Sequence, residues 1–233
     1  MQINKDTQLI GRFHTDQNGT GLNIYNPYFQ DQDIDAIYTL FQNANVAPLI
    51  NGMRNLGLVG AITAGFEHDD ALPKLLDKFT RASEVAGRVG VIANRDGVLT
   101  GHYQGGEGLR NAIQAVTDTT KTLVVVVGAG TVAKTLIHAL LDSEQCPLSI
   151  SIYNRTPEHG RELQKLFPTI KAVEGLDMLS TARGDVLINA SRIGSTVTDE
   201  YFTEEVVARF ATVADVTFGS ENTKIMNFST TAA

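Results

Sequence analysis

The sequence predicts an α/β protein in two parts, an N-terminal α/β domain followed by a Rossmann-type doubly wound parallel sheet. Three observations carry this. Strand-like and helix-like pieces alternate through the first half, and a buried-strand run, Leu123–Val127, feeds an apolar-periodic helix through a glycine turn. A chain of 233 residues also has room for two cores. The break is set inside "GEGLRNAIQAVTDTTK", so that residues 1–112 form one domain and 113–233 the other.

In the first part, "QLIGRF" and "AIYTLF" read as strands and "PLINGMRNLG" as a helix stopped by Gly57. "VGAITAG" reads as a strand, "ALPKLLDKFTRASEVAG" as one long amphipathic helix, and "VGVIANRDGVLTG" as a hairpin turning at Asp96-Gly97. Gly105, Gly106 and Gly108 then crowd the start of a helix, and the polar residues 117–121 lead into the apolar strand.

In the second part, "TLVVVVGAGTVAKTLIHALL" holds Gly128-Ala129-Gly130-Thr131-Val132-Ala133, a Gly-x-Gly-x-x-Ala pattern between strand and helix. Gly128 permits the tight turn and Gly130 lets backbone approach a pyrophosphate. Ala133 lets helix and strand pack closely, and the helix start offers free amides to phosphate. The next strand, "LSISIYNRTPEHG", ends in Asn154-Arg155-Thr156 with no carboxylate to hold ribose hydroxyls. Arg155, assisted by the Thr156 hydroxyl, suits an adenosine 2'-phosphate, so NADP is expected over NAD. His159 and Arg161 are secondary candidates that read first as surface residues on a polar helix face. "GDVLINASRIGS" is a further strand whose trailing Ser191 and Ile193 are placed beside the nicotinamide, and Asp215 in "VADVTFG" reads as a loop-ordering residue.

Composition narrows the alternatives. A net charge of -7, with 19 basic residues scattered among 26 acids, leaves no basic stripe and argues against nucleic acid. The longest aliphatic run is too short for a bilayer, so a cytoplasmic protein without membrane contact is expected. One cysteine, Cys146, excludes an internal disulfide and a cysteine metal cluster, and is expected to pack as a small apolar residue. No spacing of His, Asp and Glu suggests a metal, and no Gly-x-Ser-x-Gly suggests a hydrolase. A small-molecule ligand and a homodimer are the expected partners.

Taken in order, "LGLVGAITAG", "ALPKLLD", "VIANRDGVLTGHYQGGEGL", "VVVGAGTVA", "YNRTPE", "DVLINAS" and "VADV" resemble the shikimate/quinate dehydrogenase family over nearly the whole chain. The opening "INKDTQL" is similar to its divergent shikimate dehydrogenase-like subgroup. The resemblance implies a substrate-type N-terminal domain, an NADP-binding C-terminal domain and a cleft between them. It also implies hydride exchange at a ring hydroxyl, served by a lysine and aspartate relay.

That relay is replaced here. An ungapped match over residues 60–73 puts His68 at the family lysine, and a one-residue gap puts Glu67 there. The family's Asn and Asp fall on Tyr103 and Gly105, and a second Asn falls on Gly90. The serine pair that grips the substrate carboxylate meets Thr15 and Thr20 at a different spacing. The family's C-terminal helix with its substrate-binding glutamine is expected to be missing.

His68, flanked by Glu67 and Asp69 and sharing the cleft with His102 and Tyr103, is the candidate replacement proton carrier. Its bland reading is a solvated residue where an acidic run meets a helix start. His14 has the same balance, and His138 reads as structural. The expectation is an NADP-binding oxidoreductase scaffold without shikimate turnover, serving as a sensor or partner subunit or surviving as a decayed paralogue. The alternative is an NADP-dependent dehydrogenase or reductase of another small hydroxy or keto compound.

Overall fold

The computed structural model describes residues 3–15, 19, 21–194, 200–217 and 223–231, and the chain divides into two compact units, Met1–Gln104 and Gly105–Ala233. In the first unit the order is β1 (Gln8–His14), α1 (Leu22–Asp31), β2 (Ala36–Gln42), α2 (Val46–Leu56), β3 (Gly60–Ile62), β4 (Lys78–Phe79), α3 (Arg81–Ala86), β5 (Val91–Arg95) and β6 (Val98–His102). The strands form one mixed sheet, β2-β1-β3-β5-β6-β4. The pairs β1/β2, β1/β3 and β4/β6 are parallel, whereas β5 runs antiparallel to both β3 and β6.

Local chemistry explains most of these elements. Val46, Ile50 and Met53 recur at helical spacing on the buried face of α2. Gly57 ends that helix at φ 68°, and the Leu58 amide donates to the Met53 carbonyl at 3.1 Å. Asp96 and Gly97, at φ 52° and 84°, give the β5–β6 turn the two left-handed residues that a tight hairpin requires.

Two elements differ from the sequence reading. The stretch 71–87 is not one helix: a 3-10 turn at Leu72–Leu75 is followed by β4 and then by α3. Lys78 and Phe79 pair with Thr100 and Gly101, which pulls the chain straight where amphipathic spacing favours helix. Thr80 then starts α3 by accepting from the Ser83 amide. The second is α1, to which the sequence reading assigns no element and which carries Pro27 inside it. Asn26 on this helix satisfies both the amide and the carbonyl of Tyr38 on edge strand β2, at 2.8 and 3.0 Å.

Asp77 and Arg54 tie these pieces together. Asp77 accepts from the Leu99 amide at 2.7 Å and pairs with Arg54 at 2.9 Å, and Arg54 also donates to the Gly97 and Leu75 carbonyls. The Leu99 amide first, and then Arg54, hold the Asp77 carboxyl below its ordinary value.

The second unit runs α4 (Gly105–Gln114), β7 (Leu123–Val127), α5 (Thr131–Leu141), β8 (Ser149–Asn154), α6 (Pro157–Leu166), β9 (Ile170–Gly175), β10 (Val186–Asn189), α7 (Glu204–Val207), β11 (Thr212–Asp215) and α8 (Lys224–Thr231). Its sheet is parallel throughout, in the order β11-β10-β7-β8-β9, which is the Rossmann order. Val124 and Val126 pack with α4, α5 and α6 on one face, while Val125 and Val127 pack with Phe202, Val206, Phe210 and Ile225 on the other. Burial on both faces is why the strand is uniformly apolar.

The break falls at Gln104, not after residue 112, because α4 belongs whole to the second unit. A methyl group on Gly106 would lie 2.3 Å from the backbone of Thr135 in α5, so this glycine is a helix-crossing point. A C-terminal helix is present as α8, with Ile225 buried and no glutamine in it. Cys146 is exposed in the loop before β8 and not packed as expected, since the loop turns it outward while Pro147 is buried. No helix among the described residues is long and apolar enough to cross a membrane.

Gly106→Ala is expected to cost about 1–3 kcal/mol through overpacking. Gly108→Ala, where nothing lies within 4 Å, is expected to stabilise the helix by about 0.5–1 kcal/mol. Urea denaturation of the two variants checks the contrast. Asp77, whose folded pKa is depressed, contributes stability above its ordinary value of 3.8 and loses it as pH falls through the folded value. Asp77→Asn should therefore lower the Tm at pH 7, with the gap to wild type closing as pH falls below 3.8 in a melting series.

Candidate functional site

The strand order reverses between β7 and β10, and a parallel sheet leaves its binding crevice at the carboxyl ends of the strands at such a point. Gly128 takes the turn at φ 110°, and its amide donates to the Tyr153 carbonyl at 2.8 Å. A methyl group there would stand 2.8 Å from the Ala190 oxygen. Only glycine lets the turn after β7 pass under the loop after β10.

Gly130 is the N-cap of α5, and among the described residues nothing lies within 4 Å of where its side chain would be. The helix ladder opens with Lys134 N donating to Gly130 O, so the amides of Thr131, Val132 and Ala133 lack an intrahelical acceptor. Ala133 is fully buried, and Ala129 and Val132 pack partly against the same core. These three residues shape the turn by packing, as their small or apolar side chains suggest.

Strand β8 delivers Asn154, whose amide donates to the Thr156 carbonyl at 2.7 Å and sets the bend into α6. Arg155 is exposed at this tip, and Thr156 occupies the N-cap position of α6 without using its hydroxyl as a cap. Arg161 forms an ion pair with Glu158 at 2.6 Å. The Glu158 carboxyl lies below its ordinary value, first through its own backbone amide at the helix start and then through Arg161. His159 is exposed on the same helix.

A cavity of about 720 Å³ occupies this end of the sheet. Residues 127–128, 153–155, 191–193 and 200–201 line it, together with Leu176. Of the residues singled out in the sequence, it gathers Gly128, Asn154, Arg155, Ser191 and Ile193. Ala129, Gly130, Thr131, Val132, Ala133 and Thr156 stand outside its lining.

The sequence reading missed Tyr153, Leu176, Arg192, Glu200 and Tyr201. Arg192 sits between two residues it did single out, whereas Glu200 and Tyr201 carry no motif. Glu200 matters because it brings a carboxylate to the cavity that the strand tip lacks. The Tyr153 phenol is pushed up by burial first and then by Glu174, with Arg183 opposing.

In the first unit, a cavity of about 140 Å³ is lined by Glu67, His68, Asp69, Asp70 and Arg88 among others. His68 lies in a turn ahead of the Leu72–Leu75 segment, with its ring against the Arg88 guanidinium. Its acidic neighbours are engaged elsewhere: Glu67 accepts from the Gly65 amide at 2.9 Å and Asp69 from the Ala71 amide at 2.8 Å. The charge facing the ring is thus a cation supplied by Arg88, where the sequence reading invokes the flanking acids.

Tyr103 is raised by burial first, with Arg88 lowering and Glu67 raising it. A methyl group on Gly90 would meet the Tyr103 ring at 3.7 Å, so two positions that carry asparagine in the family pattern lie together here as glycine and phenol. His102 is half-buried on β6, and its backbone carbonyl accepts from the Gly90 amide at 2.9 Å. His14 is buried at the end of β1, Thr15 has its hydroxyl beside Gly65, and Thr20 lies outside the described residues. Among the described residues no three His, Cys, Asp or Glu side chains gather as a metal site.

Residues 110–217 match the family model for shikimate/quinate 5-dehydrogenase. A shikimate dehydrogenase (NADP(+)) of Pyrococcus abyssi is 28% identical over 207 residues, covering 87% of this chain and 75% of that protein. A shikimate 5-dehydrogenase from Listeria monocytogenes, solved in complex with shikimate and NAD, is similar with a TM-score of 0.82 at 24% identity, over 100% of this chain and 86% of that one. A shikimate dehydrogenase solved in complex with NADP+ gives 0.78 at 23% identity, over 99% and 84%.

Proposed function

We propose that the second unit binds NADP on an oxidoreductase scaffold of the shikimate/quinate dehydrogenase kind that does not turn over shikimate, a reading supported by the family-model match and the NADP(+)-dependent relatives. The observation that carries the binding half is the open cradle: space above Gly130, unpaired first-turn amides on α5, and an adjoining cavity that receives the exposed Arg155. The residues present fit a dinucleotide phosphate. When bound, NADP supplies a hydride donor or acceptor at its nicotinamide.

This chain's own residues divide the binding work. The amides of Thr131, Val132 and Ala133 face the pyrophosphate with the positive end of the helix dipole behind them. Arg155 holds the 2'-phosphate as a planar fork of donors, and the uncapped Thr156 hydroxyl adds one more. Glu200 opposes an anion, but two guanidinium groups, those of Arg155 and Arg192, line the same cavity. Ser191 and Ile193 form the wall that follows β10.

The loss of shikimate turnover is supported by what stands at the relay positions. His68 replaces lysine and rests against Arg88, and Gly105 has no side chain to orient a partner. A missing acid or base costs about 10²- to 10⁴-fold in rate. The cavity at Glu67, His68 and Arg88 favours one second reading, an NADP-dependent dehydrogenase or reductase of another small hydroxy or keto compound with His68 as proton carrier.

NADPH fluorescence titration tests the binding half. Arg155→Ala should weaken NADPH by about tenfold or more while leaving NADH within twofold. Equal affinity of the wild type for both dinucleotides sinks the reading. For the chemical half, NADP reduction with shikimate or quinate should stay at background. Any activity found in a screen of hydroxy acids and polyols should fall about 10²-fold or more in His68→Ala if the second reading holds.

A further inference from the structure

We infer that Arg192 is a second cationic contact for the adenosine 2'-phosphate, and that a hydrogen-bonded pair, buried Asn189 and half-buried Asp215, is what holds its loop in place. The inference rests on the NADP reading above and deepens it. Arg192 is exposed and lines the same cavity as Arg155, but from the opposite strand, since it follows β10 whereas Arg155 follows β8.

Exposed arginines on loops are common, and the difference here is the backbone that carries this one. Asn189 ends β10 with 0% of its surface exposed, in register with Asp215 at the end of β11. Its amide nitrogen donates to Asp215 Oδ1 at 2.9 Å and to the Ile193 carbonyl at 3.0 Å. Its oxygen accepts from the Ser191 amide at 3.2 Å and from the Ser191 hydroxyl at 2.6 Å. The Ser191 hydroxyl in turn accepts from the Ile193 amide at 3.1 Å. One side chain therefore clamps the residue before Arg192 and the residue after it.

Asp215 is ordered from behind. Its Oδ1 also accepts from the Thr217 amide at 3.0 Å, and its Oδ2 accepts from the Thr223 hydroxyl at the start of α8. On the other side the Ala190 amide donates to the Val127 carbonyl at 2.8 Å, and the Ala190 carbonyl abuts Gly128. A hydrogen-bonded polar cluster centred on a buried amide selects one loop conformation more sharply than apolar packing does. That conformation fixes the backbone of Arg192 at the cavity, so less backbone entropy is left to lose when a phosphate is met.

The test titrates the full chain with NADPH and NADH. Arg192→Ala should weaken NADPH by about tenfold and leave NADH within twofold, with Arg192→Lys intermediate. If the wild type shows no NADPH preference or Arg155→Ala has no effect, the parent reading fails. If both behave as expected but Arg192→Ala stays within twofold for NADPH, the parent reading stands and this inference falls.

For the positioning role, Asn189→Asp sets a second carboxylate against Asp215 and should cost about tenfold in NADPH affinity. Adding Asp215→Asn regenerates an amide–carboxylate pair and should recover affinity to within about fivefold of wild type; no recovery overturns the role. Should Asn189→Asp fail to fold, Thr223→Val removes one donor from Asp215 outside the cavity. It should lower the NADPH-over-NADH preference about threefold. A lowered Tm with that preference unchanged would mean the cluster is structural only.

Discussion

A methyl group on Gly128 would stand 2.8 Å from the Ala190 oxygen, and the residue's φ of 110° excludes side chains in any case, so two loops from adjacent strands can approach only because this position has none. That contact depends on the strand order, which puts β7 beside β10, and on the uniform apolar burial that holds β7 at the centre of its sheet. From it follow the start of α5, the free amides at Gly130 and the placing of the loop at residues 190–193. The cavity at the strand tips is the space those parts leave.

The two units divide constraint differently. In the second, the glycines of the Gly-x-Gly-x-x-Ala turn stand at the tight turn and the open N-cap of α5, and the pocket wall is braced by hydrogen bonds that a plain connecting loop would not need. In the first, the sheet and its hairpin bring a phenol beside Gly90 and a guanidinium against His68. Packing and catalysis draw on different residues, so a fold does not by itself fix a reaction. The glycine-rich start of α4 shows this separation at single-residue scale. Gly106 is demanded by the crossing of α4 on α5, whereas Gly108 meets nothing within 4 Å.

Much of the architecture was legible because it is written in local chemistry. The Asp96-Gly97 turn, the Gly57 helix stop and the strand-turn-helix at Gly128 each depend on residues adjacent in the chain. Errors arose where a distant partner decides. The stretch 71–87 has helical spacing, yet β6 takes two of its residues as a strand and Asp77 is captured by the Leu99 amide. Pro27 discourages a helix, yet Asn26 gains two bonds to β2 by forming one. The break between units lies eight residues ahead of the sequence reading because what assigns α4 to the second unit is its contact with α5, which no composition shift marks.

By itself the sequence determined the fold class, the glycine turn between β7 and α5 and the cationic strand tip, because each is a short pattern whose meaning is fixed by backbone stereochemistry and charge. Only the tertiary structure decided which side chains share the cavity: Arg192, Glu200 and Tyr201 reach it through loops whose course is set by long-range pairing. It also decided that His68 answers to Arg88, twenty residues away in the chain, and not to the acids beside it. Proximity in space is a property of the packed sheet, and linear spacing does not encode it.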